Sequence, residues 1–575
     1  MRIRCIHALA ASAAAVGVTF AAMLWALPTL ASVSAAEASA WKEISKDRLL
    51  EIIKVLSSDE YEGRAPASQG ERLTLAYLEQ HFKQLGLEPG NPDGTYFQDV
   101  PMVGITPNAD MQLVFAEADG KTLKLKYEDD FVAWTKRQQP DISINSDLVF
   151  VGYGVVAPEY HWDDYKGLDV AGKVLVMLVN DPPVPDPHDP SKLDDKVFKG
   201  RAMTYYGRWT YKYEIAAQKK AAGCLIVHET GPAGYPWGVV RNSNSGEQMS
   251  LESADKNMSR SAVEGWITLD QAKALFAMAG KDYDTLKKAA VRRDFHPVPL
   301  GVRASLAFRN QTRAIESKNV VAKLTGGDPK RRDEYIIYTA HWDHLGIGAE
   351  VNGDKIYHGA RDNASGVAGL LEIARAFKNV QPGPRRSILF LSVTAEEQGL
   401  LGSQYYATHP LYPPEKTAAV INMDGMDVLG RTKDITVIGL GMSTLDDVVK
   451  AVAAEQGRVP NSDPEPEKGF YYRSDHFEFA KQGVPALDPH DGVDFIGKPL
   501  GWGLKMRQEW TNEDYHKPSD QVKPYWDLSG MVEDLQLLFS VGYRVADTDS
   551  RPAWKPGTEF KAKRDAMMKV VKSDK

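Results

Sequence analysis

The run "RSILFLSVTAEEQGLLGSQYY", Arg386–Tyr406, decides the reading of the fold. From Ser387 to Val393 it is apolar without alternation, the pattern of a strand covered on both faces, as in a parallel sheet flanked by helices. It then delivers two adjacent glutamates, Glu396 and Glu397, and "EEQGLLGSQYYATH" reads as the start of a helix. An acidic pair at a helix start favours the macrodipole and needs no further role. Neighbouring side chains leaving a strand also point in different directions, so the two carboxylates can face two different partners.

Outward from this run, strand and helix texture alternates from about Asn319 onward. "EYIIYTA", "KTAAVINM" and "VPALD" read as strands, and "ASGVAGLLEIARAFKNV" and "SDHFEFAKQG" as helices. The alternation predicts an α/β fold, a mixed, largely parallel sheet flanked by helices. Such sheets bind ligands outside the carboxyl ends of their strands. At those ends stand His341-Trp342-Asp343-His344, Glu396-Glu397 and Asp424, with Asp362-Asn363 just before "ASGVAGLL". Each alone has a structural explanation as a cap, a turn residue or a hydrogen-bonded histidine. Together they bring several carboxylates into one cleft, where their repulsion needs compensation. A divalent metal supplies it, and imidazole with carboxylate suits zinc best.

The blocks "AHWDHLG", "GARDNASGVAGLLEIAR", "TAEEQGLLGSQYYA", "INMDGM", "SDHFEFAKQGVPAL" and "DYHKPSD" resemble, in order, those of the co-catalytic di-zinc aminopeptidase family, related to bacterial zinc aminopeptidases and glutamate carboxypeptidase II. The resemblance covers most of residues 319–545 and implies the zinc exopeptidase fold with two zinc ions. It places His341 and Asp424 on one zinc, Glu397 and His516 (of Tyr515-His516) on the other, and Asp362 between them. Glu396 resembles the general base acting on a metal-bridging hydroxide. Asp343 resembles the carboxylate that fixes the imidazole of His341, a common support for metal-bound histidine. His344 is expected behind the ligand set, and His476 to contact substrate or support a ligand. His358, His409 and His490 read as structural or exposed, and Ser365 lacks the context of a nucleophilic serine.

Upstream, "DLVFVGYGVVAPEYHWDDYKGLDVAGKVLVMLVNDPP" and "EIAAQKKAAGCLIVHE" resemble an inserted protease-associated domain, a β-rich module broken by Gly, Pro and Asp. Its aromatic stretch "YYGRWTYKYE", Tyr205–Glu214, reads as core and rim packing. The expected organisation is a signal peptide over 1–36, a first part of the peptidase domain over 40–145, the inserted module over 146–302, the catalytic domain over 303–548 and a C-terminal tail over 549–575. Helices are expected in "SKDRLLEIIKVLSS", with Ser45 as N-cap, and in "QGERLTLAYLEQHFKQLGLEPG".

The start of the chain, with Arg2 and Arg4 before a long apolar core and small residues to Ala36, is a secretory signal pattern. Export to the periplasm or the extracellular space is therefore expected, with no membrane span after cleavage, since no other run of about 18 apolar residues occurs. Past the signal only Cys224 remains, so no intramolecular disulfide is expected. A net charge of −8 argues against nucleic-acid binding. The resemblance implies peptide substrates and an exported exopeptidase, first of all an aminopeptidase. A carboxypeptidase or dipeptidase of the same family would need a cation for a terminal carboxylate, for which Arg473, beside Tyr471 and Tyr472, is a candidate. A glutaminyl-cyclase-like relative would use one zinc. A receptor-like relative would have lost ligands, whereas all six positions here hold the expected residue types.

Overall fold

The computed structural model describes residues 33–573. The signal segment expected over 1–36 lies almost wholly outside the described residues. Eight strands of a larger connected sheet carry the site: β1 Phe97–Pro107, β2 Val298–Leu324, β3 Tyr335–His341, β4 Ser387–Val393, β5 Thr417–Asn422, β6 Asp434–Ile438, β7 Val459–Ser462 and β8 Ala486–His490. Their spatial order is β1-β2-β4-β3-β5-β8-β6-β7. The central run β4-β3-β5-β8 is parallel, whereas β1 with β2, β2 with β4, and β8 with β6 pair antiparallel. Every residue of β3, β4 and β5 is buried, as a parallel sheet covered on both faces requires.

Six helices matter for the site: α1 Lys46–Leu56, α2 Ser365–Asn379, α3 Leu401–Thr408, α4 His476–Lys481, α5 Trp502–Glu513 and α6 Ser529–Asp547. The alternation of side chains along each strand sorts them onto two faces. Ile336, Tyr338, Ile388 and Phe390 join Leu49 of α1, Val367 of α2 and Leu535 of α6 in one core. Ile337, Leu389 and Leu391 join Tyr406 of α3 and Phe477 and Phe479 of α4 in another. Ser45 caps α1, its Oγ accepting from the Arg48 amide at 3.4 Å. The helix after β4 starts at Leu401, so Glu396 and Glu397 sit in a turn ahead of it rather than in its first turn. The macrodipole explanation of the pair therefore has no helix terminus to act on.

A separate hydrophobic core draws on Met111 through Phe308. Its strands include Gln112–Glu117, Phe131–Trp134 and Asp141–Phe150, all of which begin ahead of the boundary expected at 146. Strand Phe131–Trp134 pairs with Val263–Thr268, and Gln112–Glu117 with the first half of β2. Residues 112–145 thus pack with the β-rich module, because their partners lie there. Propensity marks these residues as strands but does not say which sheet receives them. The 27 residues of β2 belong to both parts: their first half pairs with Asp141–Phe150, their second half with β1 and β4. The last segment is more than a tail. Trp554 and Phe560 are buried in the α3/α4 core, and a helix runs from Lys561 to Ser573.

Candidate active site

Three strand ends and one helix approach deliver the site. His341 ends β3, and Asp424 follows β5. After β4, Ala395 adopts a left-handed φ of +52°, which costs a non-glycine residue roughly 1–2 kcal/mol. The turn aims two successive amides at one carboxylate: Glu396 N lies 3.0 Å from Asp343 Oδ1, and Glu397 N lies 3.4 Å from Oδ2. Asp362 lies just before α2, its amide donating to Asp520 Oδ2 at 3.0 Å. His516, also left-handed (φ +55°), arrives from the turn beyond α5.

The donor atoms fall into two groups that share Asp362. His341 Nε2 stands 3.2 Å from Asp424 Oδ1 and 3.3 Å from Asp362 Oδ1. On the other side, His516 Nε2 stands 3.4 Å from Asp362 Oδ2 and 2.9 Å from Glu397 Oε2. His344 Nδ1 approaches Glu397 Oε1 to 2.6 Å. The sets His341/Asp362/Asp424 and His344/Asp362/Glu397 each offer ligand atoms within 4.8 Å of one another. All five residues expected as ligands converge, and His344, expected behind them, stands among them. Both ring nitrogens of His344 and Glu397 Oε1 are buried without a hydrogen bond, despite the 2.6 Å approach. Donors that meet without bonding one another fit a cation held between them, and this mixture of imidazole and carboxylate fits zinc.

The electrostatics point the same way. Burial would raise Glu397, but His516 and His344 outweigh it and hold the carboxyl down at about 2. Burial would lower His516, but Glu397 and Asp362 raise it to about 10. Asp362 is likewise held well below the usual range, and His341 well above, each against its burial. The carboxylates thus stay ionised only by drawing positive charge into the site, the demand that metal ions meet. Glu396 behaves oppositely: burial, then Glu397, Asp424 and Asp475, push it well above the carboxylate range against the pull of His341. Its carboxylate makes no hydrogen bond or ion pair among the described residues, only its main chain being held.

Asp343 departs from its expected role. Its carboxylate lies 3.8 Å from His341 Nδ1, whereas its main-chain carbonyl lies 3.1 Å away and orients the ring. The carboxylate instead fixes the turn that carries both glutamates. His476 is fully buried, 3.6 Å from Asp488 Oδ2, and lines neither cavity at the site, so of its two expected roles the substrate contact has no support. His358 is buried with Nδ1 against Ser57 O at 3.0 Å, His409 is exposed, and His490 Nε2 lies 3.1 Å from Asp488 Oδ2.

Several supports escaped the sequence reading. Ser474 Oγ donates to Asp424 Oδ2 at 2.6 Å, and Asp520 holds the Arg361 and Asp362 amides. Both lie inside blocks already singled out, "SDHF" and "DYHKPSD", so polar residues adjoining the ligands were the available signal. Arg64 and Ser243 gave none, being far away in sequence. The fully buried Arg64 guanidinium donates to the carbonyls of Leu56, Trp342, His358 and Gly359 at 2.6–2.9 Å, clamping two site loops. Ser243, from the β-rich module, lies with Oγ 3.0 Å from His516 Nδ1.

The module roofs the site. A cavity of about 440 Å³ lies between Glu396, Glu397 and Tyr515 on one side and Arg208, Trp209 and Tyr235 on the other. The stretch 205–214 thus lines the cleft as well as packing, contrary to the expectation from sequence. A second cavity of about 110 Å³ lies beyond Asp362 and Asp424, against Arg361, Asp491 and Trp510. Glu396, Arg473 and Tyr515 line both.

The sequence profile of peptidase family M28 matches residues 319–540, the stretch that carries every converging ligand. Leupeptin-inactivating enzyme 1 of Streptomyces exfoliatus is 28% identical over 207 residues, 36% of this chain and 43% of that one. Aminopeptidase YwaD of Bacillus subtilis is 30% identical over 253 residues, 43% of this chain and 48% of that one. The chain thus spans about half the length of these M28-type relatives or less. Among solved structures, an aminopeptidase from Aneurinibacillus sp. strain AM-1 aligns over 90% of this chain and 97% of its own, with a TM-score of 0.53 and 18% identity, a likeness of fold.

Proposed function

We propose that the chain is an exported zinc-dependent exopeptidase that removes N-terminal residues from peptides. The observation that carries this is the pair of donor groups sharing Asp362, with Glu396 beside them but bonded to neither. His341, Asp362 and Asp424 would hold one zinc, and Asp362, Glu397 and the imidazoles of His516 and His344 the other. When bound, two such ions would acidify a shared water and polarise the scissile carbonyl. Glu396 accepts the proton of the attacking water and hands it to the leaving amine. Its raised proton affinity suits both halves of that transfer. Asp343 holds Glu396 and Glu397 by their amides, so the base and the ligand keep fixed relative positions. With Nε2 turned to the carboxylates, His516 donates Nδ1–H to Ser243, which ties the module to the site.

The β-rich module acts as a protease-associated lid that narrows the cleft to extended peptide ends; its place over Glu396 and His516 supports this. The apolar start of the chain supports export, and no helix among the described residues is long and apolar enough to cross a membrane. The test is turnover of aminoacyl anilides, dipeptides and N-blocked peptides with and without a chelator. Chelator-sensitive hydrolysis restricted to substrates with a free amino terminus is expected. Equal turnover of N-blocked peptides would remove the aminopeptidase assignment.

A further inference from the structure

The cleft has an unbalanced wall. Its acids are engaged or stand at the rim: Glu214 accepts from Tyr205 Oη at 2.8 Å, Glu478 pairs with Lys481 at 2.7 Å, and Glu252 is exposed. Its cations are not all engaged. Arg208, over nine-tenths buried, forms no ion pair, and its Nε has no hydrogen-bond partner. The ring of Trp209 lies 5.7 Å from its guanidinium carbon, and Arg473, Tyr235, Tyr205 and Tyr515 stand near enough to act on its charge. Arg473 has no carboxylate partner among the described residues either, and lies 5.2 Å from the rings of both Tyr235 and Phe470. Lys136, on the same wall, makes no ion pair among the described residues, although Glu264 and Glu214 act on its charge from further off. Burial, and then the charge of Arg473, pull Arg208 down to about 10, so Arg208 stays charged at neutral pH. Buried guanidinium groups without counter-charge are costly unless a ligand supplies it, and the planar guanidinium matches a carboxylate.

The smaller cavity is the reverse. There Arg361 and Arg507 face Asp491 at 3.3 and 3.5 Å, and Lys468 faces Glu465 at 2.7 Å, so these three cations have carboxylate partners and only Arg473, shared with the larger cavity, lacks one among the described residues. A peptide lying across Glu396 would meet matched charge at its amino end and unmatched positive charge beyond the scissile bond.

We propose that Arg208 and Arg473, with Lys136, form a carboxylate receptor on the leaving-group side of the cleft. This rests on the exopeptidase reading for its direction and adds a substrate class to it: peptides carrying an anionic group beyond the bond that is cut. The carboxylate is either the free C-terminus of a short peptide or an acidic side chain.

The test compares Ala-Ala-Ala with its C-terminal amide, and Ala-Glu-Ala-amide with Ala-Gln-Ala-amide. Binding is read by calorimetry on the full-length, zinc-loaded Glu396→Gln protein, and kcat/KM on the wild type. The carboxylate member of at least one pair is expected to be favoured by about ten-fold or more, the worth of one charge-assisted contact. An acid-over-amide preference assigns the C-terminus, and a Glu-over-Gln preference assigns the side chain. Added Arg473→Gln should collapse that ratio, and Arg473→Lys should restore part of it, which a merely structural role would not do. Arg208→Lys should keep more of the ratio than Arg208→Gln. If both pairs bind within two-fold of each other, the receptor does not exist. If the ratio holds but no chelator-sensitive turnover is found, the exopeptidase reading fails and the receptor stands.

Discussion

Replacing Glu396 by Gln removes a charge and a proton acceptor while keeping the shape of the side chain. Glu396 meets its neighbours through its main chain, the amide donating to Asp343 at 3.0 Å and the carbonyl accepting from Gly399 and Leu400, and its carboxylate pairs with nothing among the described residues. Glutamine therefore breaks no contact, and it relieves the repulsion from Glu397, Asp424 and Asp475 that raises the proton affinity of the native group. Stability should change by no more than about 0.5 kcal/mol, the scale of a substitution that removes no named interaction. Zinc content should be unchanged, because neither donor group includes residue 396. Turnover should fall by roughly 10²–10⁴, the usual contribution of a positioned base, or about 3–5 kcal/mol of barrier at 1.36 kcal/mol per decade. The assay is hydrolysis of an aminoacyl anilide, with elemental analysis of the same sample and a urea melt beside it. A variant with full zinc and turnover within about five-fold of wild type would refute the assignment of the base. A variant that lost zinc would instead make Glu396 a ligand.

Glu397→Ala should lose bound zinc along with turnover. Its melting temperature should no longer rise on zinc addition, whereas the native protein should gain about 2.7 kcal/mol at a hundred-fold excess over Kd; an undiminished thermal shift would count against Glu397 as ligand. Arg64→Ala leaves four buried carbonyls without a donor and should cost at least about 3 kcal/mol in a urea melt, with turnover falling as the two site loops loosen. Asp164, 2% exposed, is raised by burial to about 7, over the opposing hydrogen bonds from the Val155 amide and Trp162 Nε1. The folded state therefore holds this proton more tightly than the unfolded state. The stabilisation is full below about pH 4 and is lost as pH rises to about 7, by at most about 4 kcal/mol. Asp164→Asn has no proton to lose, so its unfolding free energy should fall less over that range; parallel pH profiles for the two proteins would exclude the effect.

The parallel core of the sheet and the residues that converge at the site were legible in the chain because both are local properties. Seven consecutive buried residues in β4 leave a continuous apolar run, and residues at strand ends are read directly from where those runs stop. The direction of Glu396 and Glu397 was less local. It depends on a left-handed Ala395 and on Asp343, 53 residues earlier, receiving both amides. The helix expected to begin at the glutamates starts only at Leu401, because Gly399 and Leu400 are left-handed (φ +101° and +63°) and break a right-handed helix before it.

By itself, then, the sequence determined the alternating fold, the order of its blocks and which side chains could meet a metal. The tertiary structure decided the rest: that His344 stands among the converging side chains, that residues 112–145 pack with the β-rich module, and that Arg208, Trp209 and Ser243 reach the site from it. Periodicity records which face of an element is buried, but not which distant element buries it. An unpaired arginine in a cleft and a paired one on a surface are the same letter until the partners are in place.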